Sequence, residues 1–354
     1  MGASTSASAI ERPKPSLGMV RVAGIMGYAA LVAELGADPQ RLIAGCGLQP
    51  RVLEEPDNII PFSLAARLLH LAAQQTDCPH FGLLLGQRQD LSVLGPVGFL
   101  VRHSPDVRTA IMALIRHMHL HVQGANTTLS IEGKRAHFCY HIQARGLLGA
   151  EQVYRVCVAN MFNFMRLLCG ETWLPSAVHF SYPRPADDSA FVAFFRAPVL
   201  FAQSSNTLFF GAQQLDRPTV SADPVLRNVL QEHVTQVEAN HSGDFCVQLR
   251  HVLKMLLPTG KCSVERVADL FSMHRRTLHR QLMSLGTSFE SILDSVRREI
   301  AGEMIVKSDM AVSHLANTIG YLSPSAFNRA FHRWYGVSPR EWRSRGQAME
   351  QRRA

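Results

Sequence analysis

The sequence predicts two unlike parts: a helix-dominated α+β N-terminal domain, and an all-α C-terminal domain of two helix-turn-helix subdomains joined by a linker helix. Three observations point to this. Positive charge gathers at one end, since residues 251–354 carry 16 Lys/Arg against 9 Asp/Glu whereas residues 1–250 carry 20 against 19. Apolar spacing mixes helical and alternating runs up to residue 218 and is helical after residue 243. The last hundred residues also contain a weak internal duplication.

A length of 354 residues suits two domains at ~150 residues each. With 47% hydrophobic and 18% charged residues, wholesale disorder is excluded. The longest apolar candidate, Ala23 to Leu35, falls short of the ~18 residues a membrane span needs and carries Glu34. Cys46, Cys78, Cys139, Cys157, Cys169, Cys246 and Cys262 are scattered, odd in number and form no C-x-x-C pair. That argues against a disulfide framework or a zinc site and predicts reduced thiols in the cytoplasm. No Gly-rich phosphate loop, G-x-S-x-G or H-E-x-x-H occurs, so neither catalysis nor a cofactor is expected.

Residues 1–18, small and polar with Pro, read as a disordered tail without the apolar core of a signal peptide. The N-terminal domain is expected over 19–218. From Val20 to Gly86 the spacing is helical, and Ser63 or the residues just before it are placed to cap an amphipathic helix. Another helix follows Ser104-Pro105-Asp106 and runs to about His119. Ala125 to Ile142 alternates around Ile131-Glu132-Gly133-Lys134, the composition of a hairpin turn. A long helix is expected from Glu151 to Leu168, with strand-like pieces at Ala177–Tyr182 and Leu208–Phe210. Residues 219–242 read as a linker with a helix from Asp223 to Val237 and a break at Asn240-His241-Ser242-Gly243. Residues 243–346 form the C-terminal domain and 347–354 a tail.

The duplication aligns Val267–Leu282 with Leu315–Phe331: Ala268 with Ala316, Leu278 with Phe327, Arg280 with Arg329, and Leu282 with Phe331. Each copy places a small Ala in a short helix, then a tight turn, then a second helix. Two helices crossing steeply over a short turn need a small residue where they touch. The second helix of each copy is two-faced. Leu278, Leu282 and Leu285 form one apolar stripe and Phe327, Phe331 and Trp334 the other. Opposite them lie Arg276, His279, Arg280 and Met283 in the first copy, with Arg275 on the flank, and Ser325, Asn328, Arg329 and His332 in the second, where Arg333 is a further candidate for DNA contact. An apolar back with an Arg/His/Asn/Ser front suits a helix anchored in protein and facing phosphates and base edges of double-stranded DNA. Between the copies, Phe289 to about Val306 keeps helical spacing. Seventeen rises of ~1.5 Å make a rod of ~26 Å, able to hold two recognition helices about one DNA turn (~34 Å) apart.

On these residues the C-terminal part resembles the AraC/XylS family of bacterial transcriptional regulators. The run Gly320-Tyr321, Ser323-Pro324-Ser325, Phe327, Arg329, Phe331, Gly336-Val337-Ser338-Pro339 and Trp342-Arg343 resembles the family signature. Arg276-Thr277-Leu278, Arg280, Leu282 and Gly286-Thr287-Ser288-Phe289 resemble its first-copy counterpart. His274 stands where the family usually has Ser, and Phe271-Ser272 occupy the first turn. The N-terminal part is similar to the arabinose-binding-type domain of the branch that includes ornithine-utilisation and quorum-sensing regulators. Ile60-Pro61, Gly82-Leu83-Leu84-Leu85-Gly86, Leu94-Gly95-Pro96-Val97-Gly98 and Ser104-Pro105 carry that likeness.

The resemblance implies a cytoplasmic, nucleoid-associated transcription factor that binds promoter DNA, touches RNA polymerase and acts as an activator. Its N-terminal domain is then expected to bind a small-molecule effector and to form a homodimer; the alternative is a constitutive regulator whose N-terminal domain only dimerises or binds protein partners. Phe138, Tyr140, Phe180 and Tyr182 alternate on strand-like runs and either line an effector pocket or fill the sheet core. His117, His119 and His121 read as packing or surface histidines rather than a metal site. Cys78-Pro79-His80 inverts the Pro-Cys-His order of DNA-repair methyltransferases and reads as a loop.

Overall fold

A computed structural model describes residues 18–350 apart from 144–145, 241–244, 261, 272, 308–309 and 322. Most of the N-terminal tail, the break after Asn240, Ser272 of the first turn and the last residues of the C-terminal tail therefore lie outside the described residues.

The N-terminal part opens with β1 (Met19–Arg21), α1 (Tyr28–Glu34) and α2 (Pro39–Gly45), followed by β2 (Ile59–Pro61) and α3 (Phe62–Gln75). Then come α4 (Phe81–Gln87), α5 (Pro96–Arg102), α6 (Val107–His117), the hairpin β3 (Ala125–Glu132) and β4 (Arg135–Ile142), and the long α7 (Ala150–Cys169). The strands β5 (Ala177–His179), β6 (Val199–Leu200) and β7 (Asn206–Gly211) flank α8 (Ser189–Phe195), and α9 (Pro224–Asn240) leads out. The hairpin turns at Gly133, whose φ of +58° suits glycine, and Glu132 pairs directly with Arg135. The turn is thus two residues long, and Ile131 belongs to the strand.

Five strands form one sheet in the order β3-β4-β7-β5-β6, antiparallel except for the β5–β6 pair. Alternation along β4 buries Ala136, Phe138 and Tyr140 beneath α7, opposite Phe210 and Leu208 of β7. A second sheet, β1 with β2, is a correction to the sequence reading, which had Val20–Gly86 helical throughout. Pro61 ends β2 and is the N-cap of α3 without a side-chain bond, so Ser63 is not the cap. Its hydroxyl instead donates to the carbonyl of Leu270, 207 residues away (2.7 Å).

The C-terminal part is helical: α10 (Phe245–Leu256), α11 (Val264–Leu270), α12 (Arg275–Ser284), α13 (Phe289–Lys307), α14 (Val312–Thr318), α15 (Pro324–Tyr335) and α16 (Pro339–Glu350). Its first subdomain shares one apolar core with the N-terminal part, running through Leu249, Val252, Val267, Leu278 and Val296. The second subdomain has its own core of Ala301, Ile305, Leu315, Ala316, Ile319, Phe327 and Phe331.

The N-terminal packing rests on the approach of α4 to α7. A Cβ on Gly82 would lie 2.3 Å from the Gln152 carbonyl oxygen, and one on Gly86 2.7 Å from that of Val156. Gly82 N–H also donates to Gln152 Oε1 (2.8 Å). Gly82→Ala should therefore lower the urea midpoint, at a cost of about 1–3 kcal/mol from overpacking. That outweighs the roughly 1 kcal/mol an alanine adds to helix propensity. A raised midpoint would show that the two backbones are not in contact.

Candidate nucleic-acid interface

The two C-terminal subdomains are built by the same local devices. In the first, Ser263 Oγ accepts from Arg266 N–H (3.2 Å) to start α11, and His274 Nδ1 accepts from Arg276 N–H (3.3 Å) to start α12. In the second, Ser323 Oγ accepts from Ala326 N–H (3.2 Å), and Pro324 presets the first turn of α15. Equivalent backbone bonds close the two turns, Met273 N–H to Ala268 O (2.8 Å) and Tyr321 N–H to Ala316 O (2.9 Å). Ala268 and Ala316 are both fully buried. The second turn passes through Gly320 at φ +77°.

Leu278 and Leu282 are buried beneath α12, and Phe327 and Phe331 beneath α15. Leu285 departs from the expected stripe. It is the C-cap of α12 and is 50% exposed, because the helix ends before it can turn that side chain inward. Trp334 is half-buried and its indole N–H donates to Asp294 Oδ2 (2.9 Å).

The opposite faces are open. On α12, Arg275, Arg276 and Arg280 are exposed and His279 is half-buried; on α15, Ser325, Asn328, Arg329, His332 and Arg333 are exposed. Two of these cations are tethered: Arg275 donates to Glu265 Oε1 (3.0 Å) and Arg333 to Asp294 Oδ1 (2.6 Å). Among the described residues no carboxylate pairs with Arg276, Arg280 or Arg329. Guanidinium groups left to water in this way are ready to accept phosphate or guanine as partners.

Several supporting residues escaped the sequence reading. Arg297 of α13 donates to the carbonyls of Ile319 and Gly320 (both 2.9 Å) and lies over the Tyr321 ring (4.8 Å), fixing the turn that presents α15. Arg250 and Lys254 of α10 clamp Glu299 of α13, with contacts of 2.8 and 2.5 Å, and hold its carboxyl below the usual range. Spacing marks these as polar positions on helices but does not reveal what they meet.

In the N-terminal part, Tyr140 lines a partly open cavity of about 100 Å³ between β1, α3, α6, α7 and the hairpin. Phe138, Phe180 and Tyr182 lie outside it. Phe138 packs on Phe164 (6.0 Å), Phe180 stacks on Phe201 (5.6 Å), and Tyr182 lies under the buried Arg155 guanidinium (4.7 Å). His117 Nδ1 meets Glu238 Oε1 at 2.7 Å and His119 Nε2 meets the same oxygen at 3.5 Å, pinning α9 to the end of α6. Among the described residues no group of three or more His, Cys, Asp or Glu is placed to hold a metal. Nor is any helix long and apolar enough to cross a membrane. Burial pushes the Cys78 thiol up, the reverse of what an activated nucleophile needs.

Residues 36–219, just over half the chain, match the arabinose-binding domain of AraC transcription regulators, and residues 267–345 match a helix-turn-helix domain. The HTH-type transcriptional regulator VirS of Mycobacterium tuberculosis is 28% identical over 330 residues, which is 93% of this chain and 97% of that protein. The ornithine utilization regulator of Pseudomonas aeruginosa is 27% identical over 321 residues, 88% of this chain and 93% of that protein. The chain therefore belongs to the AraC family of transcription regulators, with an arabinose-binding-type N-terminal domain and a helix-turn-helix DNA-binding domain.

Proposed function

We propose that this regulator activates transcription by placing α12 and α15 in successive major grooves of promoter DNA, under the control of a small molecule held by its N-terminal domain. The observation that carries the reading is the pair of capped helices with buried apolar backs and open Arg280 and Arg329 fronts. Residues 19–218 sense, 219–242 link and 243–346 bind DNA. RNA polymerase is the partner that activation requires. A homodimer is also part of the reading, supported by Val225, Leu226 and Val229, which leave apolar side chains exposed on the first turns of α9.

Contacts between the two parts give an effector a route to DNA. Besides the Ser63–Leu270 bond, Arg266 of α11 donates to the carbonyl of Cys46 at the end of α2 (2.8 Å). Both bonds end on the first helix-turn-helix subdomain. A ligand acts through them only if it favours one arrangement of these contacts over another, since equal affinity for both shifts nothing.

Arg280→Ala and Arg329→Ala should each weaken specific operator binding by roughly 1–3 kcal/mol while leaving the helical circular dichroism intact. Unchanged affinity in both variants would remove the assigned faces. Binding should weaken steeply between low and physiological salt as phosphate contacts release counterions, and a flat titration would contradict it. Operator affinity should also change with at least one member of a broad metabolite panel. No change across the panel would leave a constitutive regulator.

A further inference from the structure

We infer that the cavity beneath the hairpin is a binding site for a small, uncharged, mostly apolar molecule carrying one hydroxyl or equivalent hydrogen-bonding group. The inference rests on the effector reading above and adds a ligand class to it. The walls are apolar side chains, among them Val20, Ile25, Phe62, Leu69, Val156 and Phe164. At about 100 Å³ the space suits a ligand of roughly six to ten non-hydrogen atoms, given that ~10–15 Å³ of such volume holds one water.

Polar side chains interrupt the apolar lining: Tyr140 and Cys157 are hydrogen-bonded to each other, whereas His121 Nδ1, Thr127 Oγ1 and Asn160 Oδ1 lack a hydrogen-bond partner. Five buried side-chain atoms stand unpaired among the described residues, and three of them belong to residues that line this one space. Folded proteins pair nearly all such atoms, and a concentration of unpaired ones points to an occupant.

The network behind Asn160 fixes what the occupant must offer. Gln89 Nε2 donates to the carbonyls of Met26 (3.0 Å) and Gly24 (3.3 Å), which leaves its Oε1 to accept from Asn160 Nδ2 (2.9 Å). The Asn160 amide is thereby oriented, and its Oδ1 is left as a buried acceptor without a partner beside the cavity. The occupant must donate to it, while the Thr127 hydroxyl can either donate or accept.

Nothing inside offers a countercharge. Burial, with Arg21 nearby, pushes the His121 imidazole down to about 3, so it is neutral. Arg21 is itself paired with Asp57. The lining carboxylate Asp90 is exposed and accepts from Ser92 N–H (2.8 Å), which places it at the rim. An ion would shed its hydration here with no compensation. The occupant also has a lever: Phe62 lines the cavity, and the next residue, Ser63, holds the Leu270 carbonyl of the first helix-turn-helix subdomain.

Calorimetric titration of the full-length protein with benzyl alcohol, toluene, benzoate and benzylamine tests this. Benzyl alcohol should bind saturably, toluene about tenfold more weakly for lack of the donor, and the two ions not at all. Asn160→Leu should weaken benzyl alcohol about tenfold without weakening toluene; Thr127→Val, nearly isosteric, gives the same comparison if the first variant does not fold. Preference for an ion, equal binding of alcohol and toluene, or no binding by any probe would overturn the assignment. A metabolite that shifts operator affinity equally in wild type and Asn160→Leu would overturn the cavity while leaving the effector reading in place. Alcohol binding that is lost in Asn160→Leu and never moves operator affinity would uphold the cavity and remove the effector reading.

Discussion

One helix has to satisfy two cores. The first half of α13 buries Phe289, Ile292 and Val296 in the core shared with the N-terminal part, and its second half buries Ala301 and Ile305 in the separate core of the second subdomain. An α-helix rises ~1.5 Å per residue and resists bending, so this one element sets the separation of α12 and α15. Side chains along it also fasten what it carries. Asp294 receives both Arg333 and the Trp334 indole, Arg297 closes the turn before α15, and Glu299 is gripped from α10. The mutual placement of α12 and α15 therefore depends on α13 more than on either short helix pair.

The C-terminal part was largely legible in the sequence because its forces are local. Period 3.6 marks α12, α13 and α15, Ser323-Pro324 marks a helix start, and paired alanines mark crossings that admit only small side chains. The hairpin and α7 were legible for the same reason. What escaped was non-local or short. Three-residue strands such as β1 and β2 are too brief for a period to register. Ser63 has the composition of a cap, and nothing near it in sequence announces a carbonyl on Leu270. Glu238, which meets His117, lies 121 residues further along the chain. Leu285 kept the right spacing, but its helix stopped one residue too soon.

Among the N-terminal aromatics, burial and pocket lining could not be separated from alternation alone. All four residues face the interior, and only Tyr140 meets open space. Tyr182 is occupied instead by Arg155, a buried cation that also donates to the Pro79 carbonyl and to Glu151.

The N-terminal part grips the first subdomain through Ser63, Arg266 and a continuous core, while the second subdomain folds around its own apolar cluster. The two subdomains are consequently unequal. One is bonded to the N-terminal part and shares its core; the other is joined to it chiefly through α13. A strain arising in the N-terminal core therefore meets the first subdomain directly and the second only at one remove, so the two copies of one motif do not share a mechanical environment.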